Sequence, residues 1–147
     1  MTVPPKFTLR NLLFLTFLSA AGFASGQELA IQGYSPVSYF TKGIAEKGSE
    51  KFAAEYKESI YYLSSQDQKD LFVANPAKYA PRFGEYCPFS LQTGMRKAID
   101  PTSFKIVGDT LLLFHYSDQL DAKLEWNKGE DNSQIEKANG EFVLFTF

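Results

Sequence analysis

One cysteine and one histidine are the side chains of this sequence that are best suited to metal binding or thiol chemistry. Cys87 stands among aromatic residues, glycine and proline in the segment Phe83–Phe89, and His115 follows the apolar run Leu111–Phe114. Thiolate and imidazole groups are ligands for zinc and copper ions. The two residues therefore predict a metal site, with copper or zinc bound by Cys87 and His115, provided that the fold brings them together.

The number of ligands sets a limit on such a site. A closed structural zinc site takes four Cys or His ligands, and copper sites use clustered Cys, His or Met. Met95 is the only methionine besides Met1, and the sequence has no CxxC or HxxxH spacing. Two interpretations of Cys87 therefore stay open: a weak site for a soft ion such as Cu(I), and a buried thiol packed among Tyr86 and Phe89.

A cysteine and a histidine can also form a pair of nucleophile and base. Such an enzyme needs an oxyanion site and a group that orients the base, and no recognised signature for either surrounds Cys87 or His115. The spacings GxGxxG, GxxxxGK and G-x-S-x-G, which mark common cofactor and hydrolase sites, are absent. We therefore expect a non-catalytic protein, with a thiol-dependent redox or hydrolytic enzyme as the alternative.

Several tyrosines are suited to lining a ligand pocket, because a tyrosine presents an apolar ring and a polar hydroxyl. We take Tyr34, Tyr39 and Tyr86, together with Cys87, as candidate ligand-binding residues. The alternative is that the rings fill the core while the hydroxyls reach the surface. His115 has a similar alternative, since its predicted strand face is apolar and would suit a hydrogen-bonded core histidine.

Residues 1–26 have the pattern of a secretory signal peptide: a basic start, an apolar core and small residues before a cleavage point ahead of Gln27. The apolar core, Leu12–Leu18, is shorter than the roughly 20 residues that span a bilayer. We therefore expect cleavage, with no membrane span afterwards, and one domain over residues 27–147. The expected location is the periplasm or the extracellular space.

The charge of the chain argues against a nucleic-acid partner. The formal net charge is −2, and cleavage of the predicted signal also removes two basic residues, Lys6 and Arg10. Binding to phosphate backbones is driven by clustered lysines and arginines, whereas the lysines here are scattered. The expected partner is therefore a small ligand or a metal ion. A structural module that binds another protein through its aromatic surface and the apolar tail Phe142–Phe147 is a further alternative.

Two pairs of β-rich segments predict two β-hairpins. Lys51–Lys57 and Ile60–Leu63 flank a tight connection, and Phe104–Val107 and Thr110–Tyr116 flank a two-residue turn that contains glycine. Short helical segments surround both pairs. The predicted fold class is therefore α+β, a small single domain with two β-hairpins forming an antiparallel sheet, flanked by several short helices.

Two of the helix signals are specific. Ser65 and Gln68 have the spacing of a capping box, and Pro76 ends the helix that they begin. Pro88 and Gly94 suit the first turn and the C-terminal cap of a short helix that starts at Cys87.

Four other segments have weaker patterns. Ala30–Phe40 is predicted to be extended, with a turn in its middle. Ser117 is predicted to cap a helix that ends near Gly129, and a second helix is expected over about residues 132–139. The apolar segment Phe142–Phe145 is predicted to be a docked strand.

Several short motifs resemble those of exported YHS-domain proteins. Gly33–Phe40, which reads GYSPVSYF, is similar to the Gly-Tyr-Asp-Pro-Val-Ala-Tyr-Phe opening of that family. The order and spacing of the family continue through Lys47–Phe52, Asn75–Pro81, Gly84–Cys87, Asp100–Pro101, Phe104–Gly108 and Trp126. The resemblance spans about residues 30 to 140 and predicts that residues 27–147 are a YHS-like domain.

This resemblance implies a small exported domain that is related to cysteine-containing metal-sensing modules. The sequence departs from the family pattern at four positions. Ser35 replaces an Asp, Glu85 replaces a Gly, Pro88 replaces an Ala, and His115 replaces an Asn. Because Ser35 replaces a carboxylate, the sequence lacks one hard metal ligand of the family pattern. His115 is a replacement ligand if the fold brings it near Cys87. The resulting expectation is a non-catalytic binding protein with a soft-metal or small-ligand site near Cys87.

Overall fold

The computed structural model describes residues 26–145 and shows a small α+β domain, which confirms the predicted fold class. The predicted signal peptide, apart from Gly26, lies outside the described residues. None of the helices in the described chain is long and apolar enough to cross a membrane.

The strands and helices are mostly short. The strands are β1 (Glu28–Leu29), β2 (Ser49–Tyr56), β3 (Ser59–Leu63), β4 (Asp100–Val107), β5 (Thr110–Phe114), β6 (Tyr116–Ser117) and β7 (Leu120–Asp121). The helices are α1 (Pro36–Thr41), α2 (Gln66–Ala74), α3 (Pro76–Tyr79), α4 (Pro88–Leu91), α5 (Ala122–Trp126) and α6 (Asp131–Phe145). A 3₁₀ turn over Ala30–Gly33 joins β1 to the segment before α1.

Both predicted hairpins are present, and they lie in separate sheets. In the first, Tyr56 pairs with Ser59 across a turn whose residue Lys57 has a φ of +52°. β1 extends this sheet by pairing in parallel with β3. In the second hairpin, Val107 pairs with Thr110 across a turn in which Gly108 supplies the positive φ. The two sheets give the domain two surfaces on which helices pack.

Aromatic contacts join the helices to the sheets. The ring of Phe72 on α2 lies 4.8 Å from the ring of Tyr61 and meets Tyr56 edge-on at 6.3 Å. Trp126 on α5 packs against Phe114 of β5 at 5.4 Å. Because burial of one large apolar side chain contributes about 1.5–3 kcal/mol, these contacts give a chain without a disulfide its core.

The starts of both specific helices are confirmed, whereas the predicted cap at Gly94 is wrong, because α4 ends at Leu91 and its C-cap is Gln92. The Ser65 hydroxyl accepts a hydrogen bond from the Gln68 N–H at 3.2 Å, and α2 ends just before Pro76. Cys87 is the N-cap residue of α4, and Pro88 is its first helical residue. A side-chain cap at Ser65 therefore starts α2, whereas α4 starts at a proline whose N-cap residue, Cys87, makes no side-chain capping bond.

Two of the weaker predictions are wrong: the extended conformation of Ala30–Phe40 and the helix cap at Ser117. The segment predicted as extended, Ala30–Phe40, forms the 3₁₀ turn and most of α1, because Pro36 has the φ that a first helical residue requires. Ser117 does not cap a helix. It pairs in β6 with β7, and Asp121 caps α5 instead by accepting the Leu124 N–H at 3.0 Å.

The predicted docked strand at the C-terminus is also wrong. Residues Phe142–Phe145 continue α6, and the Phe142 ring packs edge-on against Phe83 at 5.6 Å. Gly140 lies inside this helix and does not end it. Residues 146 and 147 lie outside the described part of the chain.

Candidate functional site

Cys87 lies in the hydrophobic core. Its relative exposure is 0%, and its N–H donates to the Lys97 carbonyl at 2.9 Å. Its own carbonyl accepts the Leu91 N–H at 3.1 Å, which forms the first turn of α4. The thiol therefore has the surroundings of a packed apolar side chain, which is one of the two interpretations that the sequence left open.

His115 lies half-buried at the end of β5. Its Nδ1 atom is 3.0 Å from the carbonyl oxygen of Ala98. Because a carbonyl oxygen only accepts hydrogen bonds, Nδ1 must carry a proton to make this contact. In the neutral ring, Nε2 then keeps a lone pair that can accept a hydrogen bond or bind a metal ion.

Cys87 and His115 bind neighbouring carbonyl groups of one segment, those of Lys97 and Ala98. The fold therefore brings the two residues to the same segment but gives them different surroundings. Between residues 26 and 145, no group of three or more His, Cys, Asp or Glu side chains is arranged to hold a metal ion. The copper or zinc site at Cys87 and His115 stays a prediction that depends on ligands from elsewhere.

A polar cleft of about 360 Å³ opens beside His115, and we call it the His115 cleft. It is lined by Gln32, Tyr34, Ala98, Ile99, Asp100, Pro101, His115 and Tyr116. Two of the residues that the sequence indicated, Tyr34 and His115, thus line one cavity. Cys87 is not among the lining residues.

Tyr34 is half-buried on the cleft and contacts a cation. The ammonium group of Lys47 lies 4.1 Å from the centroid of its ring, a cation–π arrangement. The same ammonium donates to the backbone carbonyl of Gln32 at 2.8 Å. Lys47 therefore ties the turn before Tyr34 to the segment that precedes β2.

Tyr39 supports the cleft from within the core. Its hydroxyl donates to the Pro101 carbonyl at 2.8 Å, and its ring packs against Phe104 at 4.7 Å. Burial raises the pKa of Tyr39, and the nearby charges of Tyr34, Glu85 and Asp100 raise it further. The hydroxyl is therefore held as a neutral donor that fixes one wall of the cleft.

Tyr86 lies on the surface, outside the lining of the cleft. Its relative exposure is 37%, and the guanidinium of Arg96 lies 5.9 Å from its ring centroid. Its backbone pairs with that of Ala98, which lines the cleft. Of the candidate tyrosines, only Tyr34 therefore has its side chain in position to meet a ligand in this cleft.

The turn that carries Gln32 into the cleft has an uncommon backbone. Ile31 has φ +52° and ψ +31°, and Gln32 has φ +50° and ψ +29°. Two consecutive non-glycine residues in the left-handed region are rare, and a β-branched residue there is an outlier. Each such residue costs about 1–3 kcal/mol, and such strain concentrates at binding and catalytic sites.

The Glu85 carboxylate holds this turn in place. It accepts the Ile31 N–H at 2.6 Å, although the two residues are 54 positions apart. Burial raises the pKa of Glu85, the Ile31 N–H opposes that rise, and the charge of Glu28 adds to it. Gln32 is fixed in turn, because its amide donates to the Ile99 carbonyl at 3.1 Å.

Asp100 contributes a carboxylate to the cleft. One of its oxygens, Oδ1, accepts the N–H of Thr102 at 2.8 Å and the hydroxyl of Thr102 at 2.7 Å. These bonds fix the side chain at the start of β4. Asp100 appeared in the sequence only as part of a family motif, and no local pattern marked it, Gln32 or Glu85 as site residues.

Ser35 belongs to a buried polar network behind the cleft. Its hydroxyl donates to the Gln68 side-chain oxygen at 2.5 Å, and Ser38 donates to Glu46 at 2.6 Å. The pKa of Glu46 is lowered to about 2, chiefly by its hydrogen bond from Lys42. Ser35 thus anchors α1 to the start of α2, which gives a structural reason for a hydroxyl at this position.

Searches with protein-family models, among curated proteins and among solved structures give no match for this chain. Residues 26–145 form a small α+β domain with a polar cleft beside a strained turn.

Proposed function

We propose that this protein is an exported, non-catalytic binding protein of the YHS type, and that its ligand is a small polar molecule held in the His115 cleft. One observation carries the proposal: Tyr34 and His115, far apart in sequence, line one cavity. The volume of that cavity, about 360 Å³, is at the lower end of the range for small-molecule sites.

The strained turn supports a binding role for the cleft. A protein that only needed to connect β1 to α1 would gain about 1–3 kcal/mol per residue from an ordinary backbone at Ile31 and Gln32. The bond from Ile31 to Glu85 and the bond from Gln32 to Ile99 maintain the strained form. The strained backbone places Gln32 in the lining of the cleft.

The burial of Cys87 favours a non-catalytic protein. A thiol nucleophile must reach its substrate, whereas this side chain is fully buried and does not line the cleft. Burial also protects a lone thiol from oxidation in an exported protein. We therefore place the proposed ligand site in the neighbouring cleft and not at Cys87.

A fragment screen by ¹⁵N NMR on residues 27–147 tests the proposed function. We expect small polar fragments to shift the signals of Gln32, Tyr34 and His115. The His115→Ala variant should bind the best fragment at least about tenfold more weakly, because a directed hydrogen bond and one wall of the site are lost. The control variant Cys87→Ala should bind it as the natural protein does.

The opposite pattern would reject the proposal. If Cys87→Ala abolished binding while His115→Ala left it intact, the ligand site would lie at Cys87. A screen in which no fragment shifts the signals of the cleft would also reject a small-ligand role.

A further inference from the structure

Two side-chain N–H donors of the His115 cleft are engaged within the protein. Nδ1 of His115 donates to the Ala98 carbonyl at 3.0 Å, and the Gln32 amide donates to the Ile99 carbonyl at 3.1 Å. The carbonyl of Pro101, two residues after Ile99, accepts the Tyr39 hydroxyl at 2.8 Å. These bonds leave the second N–H of the Gln32 amide and the hydroxyls of Tyr34 and Tyr116 as the side-chain donors of the lining.

The lining of the cleft also has side-chain acceptor atoms without a partner among the described residues. Nε2 of His115, Oε1 of Gln32 and Oδ2 of Asp100 make no hydrogen bond to any other part of residues 26–145. Asp100 also brings a full negative charge to the lining. A ligand that matches this surface carries N–H donors and a positive charge.

One cationic side chain of the protein itself, that of Lys47, is held at the edge of the cleft. The Lys47 ammonium lies over the Tyr34 ring and donates to the Gln32 carbonyl, so an aromatic face and an oxygen acceptor hold it together. Another aromatic residue of the lining, Tyr116, is exposed and has its ring free to contact a ligand. Aromatic rings of this kind attract ammonium and guanidinium groups.

We infer that the His115 cleft binds a small organic cation that carries N–H donors, a primary ammonium or a guanidinium compound. This inference rests on the proposed function and names its ligand class. Asp100 supplies the charge, His115 Nε2 and Gln32 Oε1 accept hydrogen bonds, and Tyr34 and Tyr116 contact the apolar part of the ligand. Lys47, a cation itself, competes for the same surroundings.

Titrations of residues 27–147 with methylguanidinium, butylammonium, acetate and neutral butanamide, followed by NMR, test the ligand class. We expect the two cations to shift the signals of Gln32 and His115 in a saturable way, and acetate and butanamide to leave them in place. Replacing Asp100 by Asn keeps the acceptor that binds Thr102 but removes the charge. Asp100→Asn should weaken cation binding at least about threefold, the order expected for a partly exposed ion pair.

Matched variants separate a local effect from the net charge of the protein. Asp109→Asn makes the same charge change in the exposed turn between β4 and β5 and should leave the affinity unchanged. Lys47→Met removes the competing cation and should raise the affinity about twofold or more, whereas Lys137→Met on the exposed face of α6 should not.

Binding of acetate or butanamide in the cleft without the cations would overturn the ligand class and leave the proposed function standing. Equal weakening by Asp100→Asn and Asp109→Asn would also overturn it, because attraction would then come from the overall charge. If none of the four probes shifts the cleft signals, the ligand class is wrong, and the fragment screen decides the proposed function independently.

Discussion

Cys87 and His115 both form hydrogen bonds to the segment Lys97–Ala98. The two residues differ in how accessible their side chains are to a ligand. At Cys87, the backbone groups are bonded and the thiol is covered. His115 lines an open cleft, and only one of its ring nitrogens, Nδ1, is bonded within the described residues. A reactive residue type therefore indicates a site only where the fold leaves the side chain accessible and with atoms free to form further bonds.

The largest expected difference between the two regions is in thiol reactivity. Cys87 should react with a thiol reagent at least about 100-fold more slowly in the native than in the unfolded protein, because reaction requires an opening of the core. The rates are measured by absorbance with Ellman-type reagents. The control combines Cys87→Ala with Ser133→Cys on the exposed surface of α6 and should react at the unfolded rate. Similar native rates for Cys87 and the control would show that the thiol is accessible.

The second prediction concerns the support of the cleft. Glu85→Ala should lower the free energy of unfolding by about 1–3 kcal/mol, because the Ile31 N–H loses its partner in a strained turn. Urea unfolding measures the change. Glu55→Ala, at an exposed position of β2, should change it by no more than about 0.5 kcal/mol. Equal effects of the two variants would mean that Glu85 does not hold the turn.

The third prediction uses the opposite pKa shifts of two carboxyl groups. The pKa of Glu85 is raised, so the folded state binds its proton more tightly and loses stability relative to Glu85→Gln as the pH rises above 4.5. The pKa of Glu46 is lowered to about 2, so its contribution is present above pH 4.5 and is lost as the pH falls towards 2. Urea unfolding of both Gln variants from pH 3 to 7 should give differences from the natural protein that slope in opposite directions. Parallel slopes would contradict the assignment.

The smallest expected change in stability is at Gln32. Gln32→Gly relieves a left-handed backbone but loses the bond to Ile99, so the free energy of unfolding should change by less than about 1 kcal/mol. Binding in the cleft should nevertheless weaken severalfold. Lys57→Gly relieves the same kind of backbone in the β2–β3 turn and should leave binding unchanged. Unchanged binding in Gln32→Gly would remove Gln32 from the site.

The features that the sequence predicted correctly depend on local chemistry. The β2–β3 and β4–β5 hairpins, the Ser65 cap and the α4 start at Cys87 each follow from residues within a few positions of one another. The tail helix was missed because Phe142 packs on Phe83, a contact distant in sequence.

The candidate site was predicted only in part for the same reason. Tyr34 and His115 were named from their residue types, and both line the cleft. Glu85 acts through a bond to Ile31 across 54 positions, and Gln32 through a bond to Ile99. No pattern of neighbouring residues encodes these pairings, so only the fold reveals which polar groups converge.

A crystal structure of residues 27–147 with the tightest-binding fragment would show directly whether ligands bind in the His115 cleft. We expect the fragment to lie in the His115 cleft, within hydrogen-bond distance of His115 Nε2 and in contact with Tyr34. A fragment bound against the sulfur of Cys87, with the cleft empty, would contradict it.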